Sequence, residues 1–276
     1  MADSGHYGPR DNGESRQGIY VCTADGKFLS SINTLDADLV LETMKRGLNK
    51  WKKLPADERR PKTNTSEMKI ERRWEPQRPK DGLVFTVYSR DLHRKATPDS
   101  RSLKTWNVDS AWFNSKEMKS LLPKNITIGQ TFEFPDFFVA RLSKLHLVDC
   151  VKGQTEAFGK SEIAGSKISG TVIGVDANQI EVEIKGTTSG ISKSGRFPRG
   201  VVTTIIGDAT FDRESEKFEK FDMVAIGKRW GRTRFNDRRA QQKESPIGFT
   251  FHITKPDEPI VIPGVFWSYD ASWIKR

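Results

Sequence analysis

At 276 residues, with 46 Lys or Arg against 36 Asp or Glu, the chain carries a formal charge of +10 and has room for one large domain or two modest ones. A hydrophobic fraction of 35% and a mean hydropathy of −0.61 are low for one compact globule and point to polar linkers around smaller cores. No stretch approaches membrane-spanning length, and Cys22 and Cys150, far apart in sequence, read as two structural thiols rather than a disulfide.

Residues 1–17 are polar and rich in Gly, Asp and Ser, with no strand or helix period, and read as a tail. No apolar core of a secretory signal follows Met1, so the default expectation is cytoplasmic. Ile19 to Thr23 alternates apolar and polar residues, and Lys27 to Ile32 partly repeats the pattern. Asp25-Gly26 between them predicts a tight type I′ hairpin. Either Thr34 or Asp36 is placed to cap a helix running to about Lys53. Leu41, Met44, Leu48 and Trp51 recur on one face of it, and Pro55 stops it. A hairpin and one helix bury too little apolar surface to stand alone. That face therefore needs a cover: the rest of the chain, a second copy or a protein partner.

Residues 18–54, an apolar strand, Asp-Gly turn, second strand and closing helix, resemble the end of many thioredoxin-like domains. The resemblance covers about an eighth of the chain. It implies a redox-silent remnant, because the family's Cys-x-x-Cys is missing and Arg16-Gln17 stands where its cis-proline belongs. If the gene continues upstream with that motif, the chain is instead the tail of a longer redox protein.

Residues 55–82 hold four prolines and paired charges and read as a basic linker. From Glu42 to Lys80 there are 13 Lys or Arg and 6 Asp or Glu, and from Lys228 to Lys243 there are 7 basic residues and one acid. The remainder is net acidic, so the basicity is segmental. In the second segment Lys228, Arg229, Arg232, Arg234, Arg238 and Arg239 are mixed with Trp230 and Phe235. Arginine forks suit phosphates and aromatic faces stack on bases or sugars, so the segment is a candidate site for an anion or nucleic acid. The plainer reading is a polar loop joining two strands, with its aromatics folded back on the core.

From Gly82 onward the pattern is mostly strand-like. Leu83 to Tyr88 predicts a first strand, Val108 to Leu122 a short helix, and apolar Thr131 to Val151 one or two central strands. Asp176-Ala-Asn178 and Arg213-Glu-Ser-Glu216 predict hairpin turns, and Ile247 to Thr254 a further strand. Residues 83–276 are thus expected to form a β-rich domain. The fold class is α+β, mainly β: a partial thioredoxin-like β-β-α unit, then an antiparallel β-sandwich or partly open barrel. The aromatic terminus, with Phe266, Trp267, Tyr269 and Trp273, is expected to dock, the N-terminal helix being one place for it.

Chemistry-bearing patterns are few. Cysteines and histidines lack metal-ligand spacing, and no phosphate-binding Gly-Lys-Ser/Thr loop or Gly-x-Ser-x-Gly elbow occurs, so neither metal nor cofactor is expected. Read as a strand, His146 and Cys150 lie too far apart for proton transfer. Asp208, Asp212 and Asp222 flank one hairpin and are the carboxylates open to a hydrolase. A non-catalytic binding or accessory protein is the preferred expectation, an enzyme built on those carboxylates the alternative.

Overall fold

The computed structural model describes residues 18–34, 36–60, 77–92, 105–193 and 197–264. The basic stretch 61–76 and the aromatic terminus 265–276 lie outside the described residues. The chain divides into two compact units at residues 72 and 73. The described residues are mainly β, with 42% strand and 19% helix.

The first unit is a hairpin and a helix. Strands β1 (Ile19–Cys22) and β2 (Phe28–Ile32) pair antiparallel. The turn differs from the predicted two-residue type. Gly26 alone takes a positive φ, 85°, and Thr23 N donates to Lys27 O while Gly26 N donates to Thr23 O. This longer loop uses Gly26 for the left-handed position, and a bulge at Val21/Cys22 takes up the extra residue. Helix α1 (Ala37–Lys52) is capped by Asp36, whose carboxylate accepts from Asp38 N and Leu39 N; Thr34 instead accepts from Asp36 N. A short helix α2 (Ala56–Arg59) follows Pro55.

The helix sits on the hairpin through its small residues. Thr43 and Gly47 are buried, Ser30 Oγ donates to Thr43 O at 2.9 Å, and a Cβ on Gly47 would lie 2.5 Å from Val21 Cγ1. The apolar stripe extends past this contact. Leu41, Met44 and Leu48 remain 49%, 53% and 48% exposed.

The second unit holds β3 (Leu83–Asp91), β4 (Trp106–Phe113), α3 (Ser115–Lys119), β5 (Thr131–Glu133), α4 (Asp136–Arg141), β6 (Lys167–Val175), β7 (Gln179–Ser192), β8 (Arg199–Asp212), β9 (Lys217–Gly231) and β10 (Ser245–Ile253). These strands form one antiparallel sheet in the order β4-β3-β10-β9-β8-β7-β6-β5. A sandwich needs two sheets, so that form of the expectation is replaced by a single curled sheet that does not close. The curl is visible in the core: Phe138 of α4 lies 5.0 Å from Phe113 on the first strand, 5.1 Å from Phe134 beside the last, and 5.9 Å from Phe221 in the middle (ring centroids).

Two segments depart from the sequence reading. The run 131–151 is a three-residue strand, helix α4 and a π-helical turn over Leu142–His146, where central strands were expected. Pro135 ends the strand and opens the helix. The predicted helix 108–122 is split between β4 and α3 by Asn114, whose side chain accepts from Glu117 N while Glu117 accepts from Asn114 N.

Candidate functional site

The Arg and aromatic segment divides between the interior and the surface. On β9 the inward positions run Phe221, Met223, Ala225, Gly227 and Arg229, so strand alternation carries Arg229 inside and leaves Lys228 exposed and Trp230 half-buried. Trp230 lies flat over Gly200, where a Cβ would come within 2.1 Å of its ring. Arg238, in the loop after β9, is also fully buried.

Arg238 is enclosed by two carboxylates. Its Nη1 and Nη2 donate to the two oxygens of Asp91 at 2.7 and 2.9 Å. Its Nε and Nη2 donate to the two oxygens of Asp149 at 2.8 and 2.7 Å, and Nη1 also reaches Gln241 Oε1 at 3.0 Å. Burial alone would favour the neutral guanidine, but its hydrogen bonds to Asp149 and Asp91 outweigh it and hold the guanidinium above its ordinary range. Arg229 lies beside the same carboxylates, with Nε 3.6 Å from Asp91 and 3.9 Å from Asp149, and its Nη1 donates to Gln241 O. Burial and the neighbouring Arg238 charge lower its pKa. Two arginines facing two aspartates make a neutral internal cross-link between the end of β3, the turn after α4, the end of β9 and the loop.

This geometry corrects the candidate anion site. Arg229 and Arg238 are withdrawn from any surface ligand. Arg232 stacks on Phe197 at 4.1 Å, Arg234 on Phe235 at 5.2 Å, and Lys228 pairs with Glu244 at 3.1 Å. Arg239 is exposed, as is Phe235. Counting Lys243, five cations reach the surface against Asp237 and Glu244, about half the excess that the segment suggests. The segment joins β9 to β10 as the plainer reading has it, but Phe235 stands exposed and is not folded on the core; two arginines are buried in its place, and a modest basic rim remains.

A second buried pair uses residues that sequence spacing kept apart. His146 Nδ1 lies 2.8 Å from Asp109 Oδ2, while Asp109 Oδ1 accepts from Ser110 N and Gly264 N at 2.8 and 2.7 Å. Both side chains are nearly inaccessible, which suits a satisfied core histidine. Cys150 does not form a nucleophile with them: burial, then the Asp109 charge, push its thiol up to about 12. Cys150 is therefore expected to resist iodoacetamide at pH 7.5 until urea is added, while Cys22, which lines the groove beside α1, labels in the native protein; peptide mapping by mass spectrometry reads both. Equal labelling of both thiols in the native chain contradicts this reading.

The three carboxylates open to hydrolase chemistry separate. Asp212 accepts from Ser215 N in the β8–β9 turn, and its pKa is lowered by hydrogen bonds from Ser215. Asp208 and Asp222 are cross-strand partners, with Glu183 opposite Asp208 on the next strand. Asp208 meets Lys220 at 2.5 Å and Glu183 meets Lys185 at 2.7 Å, all on an exposed sheet surface that excludes no water. Among the described residues no group of three or more His, Cys, Asp or Glu is arranged to hold a metal.

The outer face of the sheet carries the feature that sequence reading missed. Two cross-strand rows run side by side: Trp106, Arg90, Gly248, Ile226 and Thr204, and Val108, Tyr88, Thr250, Val224 and Ile206. Gly248 leaves a notch, and Leu92 lies against it. The resulting groove, about 370 Å³, is lined chiefly by Tyr88, Leu92, Trp106, Val224 and Ile226. Trp106 is 59% exposed and Ile226 54%, with the Trp106 and Tyr88 rings 5.3 Å apart. Tyr88 in turn stacks on His252 at 5.8 Å, and Glu258 fixes His252 at 2.8 Å and Thr86 at 2.7 Å. The sequence signal was present: Val224 and Ile226 are apolar at the outward positions of β9.

Among the described residues no helix is long and apolar enough to cross a membrane. Compared with protein families, curated proteins and solved structures, the chain matches none of them.

Proposed function

We propose that the chain is a non-catalytic binding protein whose β unit holds an apolar, acid-flanked segment of a partner protein in the outer-face groove. The observation that supports this is the groove itself: Trp106 of β4 and Val224 and Ile226 of β9 stand exposed on one sheet face, with Tyr88 and Leu92 half-buried between them. Such a patch is characteristic of protein contact. A sugar would leave its hydroxyls unmatched against Leu92, Val224 and Ile226. The exposed Arg90 and Lys228 at the groove's end, beside the basic rim, favour acidic flanks on the occupant. Lys220 and Lys185 on the acidic row weaken the hydrolase alternative. On the same reading the first unit is a thioredoxin-like remnant without dithiol chemistry.

Selection of peptides from a random display library against the whole chain tests the proposal. Enriched peptides are expected to share an aromatic or branched apolar anchor with Asp or Glu beside it. Trp106→Ala is expected to weaken them by about 30-fold, the scale of an interface hot spot, as read by fluorescence polarisation. Peptides indifferent to both Trp106→Ala and Ile226→Asp overturn the reading. So does single-stranded nucleic acid that binds more tightly than any peptide and is lost steeply with salt.

A further inference from the structure

The face of α1 left uncovered by its hairpin has a pattern that matches itself in reverse. Going round the helix, Thr43 and Gly47 mark the side seated on β1 and β2, and Leu41, Met44 and Leu48 form the adjoining exposed strip. Val21, Leu29 and Trp51 complete a largely apolar groove beside that strip, with Lys45 at its edge. The charges along the helix are ordered. Asp36, Asp38 and Glu42 lie in the first half, and Lys45, Arg46, Lys50 and Lys52 in the second.

We infer that this strip is an isologous interface, and that its occupant is the same strip of a second copy running antiparallel. A two-fold axis passing between positions 44 and 45 makes the two halves complementary. Leu41 then faces Leu48 of the other copy, Met44 lies beside its own equivalent, and Asp38 stands near Lys52 of the other copy. A parallel pair gathers the acidic first halves of both copies at one end and the basic second halves at the other, so the charge order selects the antiparallel arrangement. The contact is symmetric and self-limiting, as a two-fold dimer requires. A 16-residue helix is about 24 Å long, so this contact alone is smaller than a standard interface and the association is expected to be micromolar.

The test uses the full chain. Sedimentation equilibrium from about 1 to 200 μM, a range chosen to bracket micromolar association, is expected to pass from 31.3 kDa to twice that mass. Leu48→Glu is expected to raise the dissociation constant about a hundredfold, since the charge enters the interface twice. Asp38→Lys weakens the dimer, and adding Lys52→Asp to it restores the wild-type constant; a merely structural role for either residue gives no such rescue. Met44→Cys, in a Cys22→Ser background, is expected to form a disulfide between copies on mild oxidation, while Asp38→Cys, whose equivalents stand about 20 Å apart across the axis, does not. A chain that stays at 31.3 kDa at the highest concentration overturns the inference. So does a Leu48→Glu protein that loses thermal stability with no change in mass, because the strip is then covered within the chain. Dimerisation with Asp38→Cys cross-linking to itself overturns the antiparallel arrangement.

Discussion

Replacing Arg238 with methionine is expected to destabilise the β unit by about 3–5 kcal/mol, because Asp91 and Asp149 are left buried with one arginine between them. All five N–H bonds of Arg238 are in use, and Arg229 is too far from both aspartates to replace them. The double variant Arg238→Met with Asp149→Leu leaves one arginine facing one aspartate, and is expected to lose about half as much as the single variant. Urea unfolding followed by far-ultraviolet circular dichroism, which reports chiefly on the large sheet, measures both. A single variant within about 1 kcal/mol of wild type would show that the four charges are not coupled as drawn. The same variant should release the loop 232–244, so early proteolytic cleavage there accompanies the loss.

Phe138→Ala is expected to cost about 3–5 kcal/mol, the range for emptying a buried aromatic site. Its ring touches Phe113 at one end of the sheet and Phe134 at the other, with Phe221 between. Truncation therefore opens a cavity and also removes the contact that holds the curl. Phe138→Leu keeps most of the volume and is expected to lose less than half as much. Phe211→Ala, a half-buried ring packed on Phe218 near the β8–β9 turn, serves as the comparison and should cost about 1–2 kcal/mol. If Phe138→Ala and Phe211→Ala cost the same, α4 does not bridge the two ends.

The strands β6 to β10 were legible because their inward positions are apolar at every second residue over most of their length and the β6–β7 and β8–β9 turns carry their own chemistry. Asp176, for example, accepts from Asn178 N and Gln179 N and closes the β6–β7 turn. Helix α1 was legible from its cap and its stripe. The run 131–151 was not, since a stretch this apolar suits a buried strand and a buried helix equally, and only Pro135 marks the change. In the 108–122 window the capping residues Asn114 and Glu117 were the overlooked sign that a strand gives way to a helix.

The site divides along similar lines. Arg229 was recoverable, because extending the alternation of β9 by three residues turns it inward. Arg238 was not. Its partners Asp91 and Asp149 lie 147 and 89 residues away, and nothing local distinguishes it from Arg239 beside it. Charge density in the sequence therefore overstated what the surface offers. The apolar groove depends on β3, β4, β9 and β10 lying side by side, which is a property of strand order and not of any one segment.

That strand order has a consequence for how the unit assembles. Strands β6 to β9 join through successive short hairpins, whereas Phe249 of β10 pairs with Ser89 of β3, 160 residues upstream. Closing so long a loop costs entropy that nearby hairpins do not pay, so the β6–β9 meander is expected to form early and the β3–β10 seam late. During synthesis β3 and β4 leave the ribosome long before β10 exists to join them to the meander. A nascent chain stopped short of residue 245 should carry an ordered meander and an unattached β3–β4 hairpin, and the groove first comes into being when that seam closes.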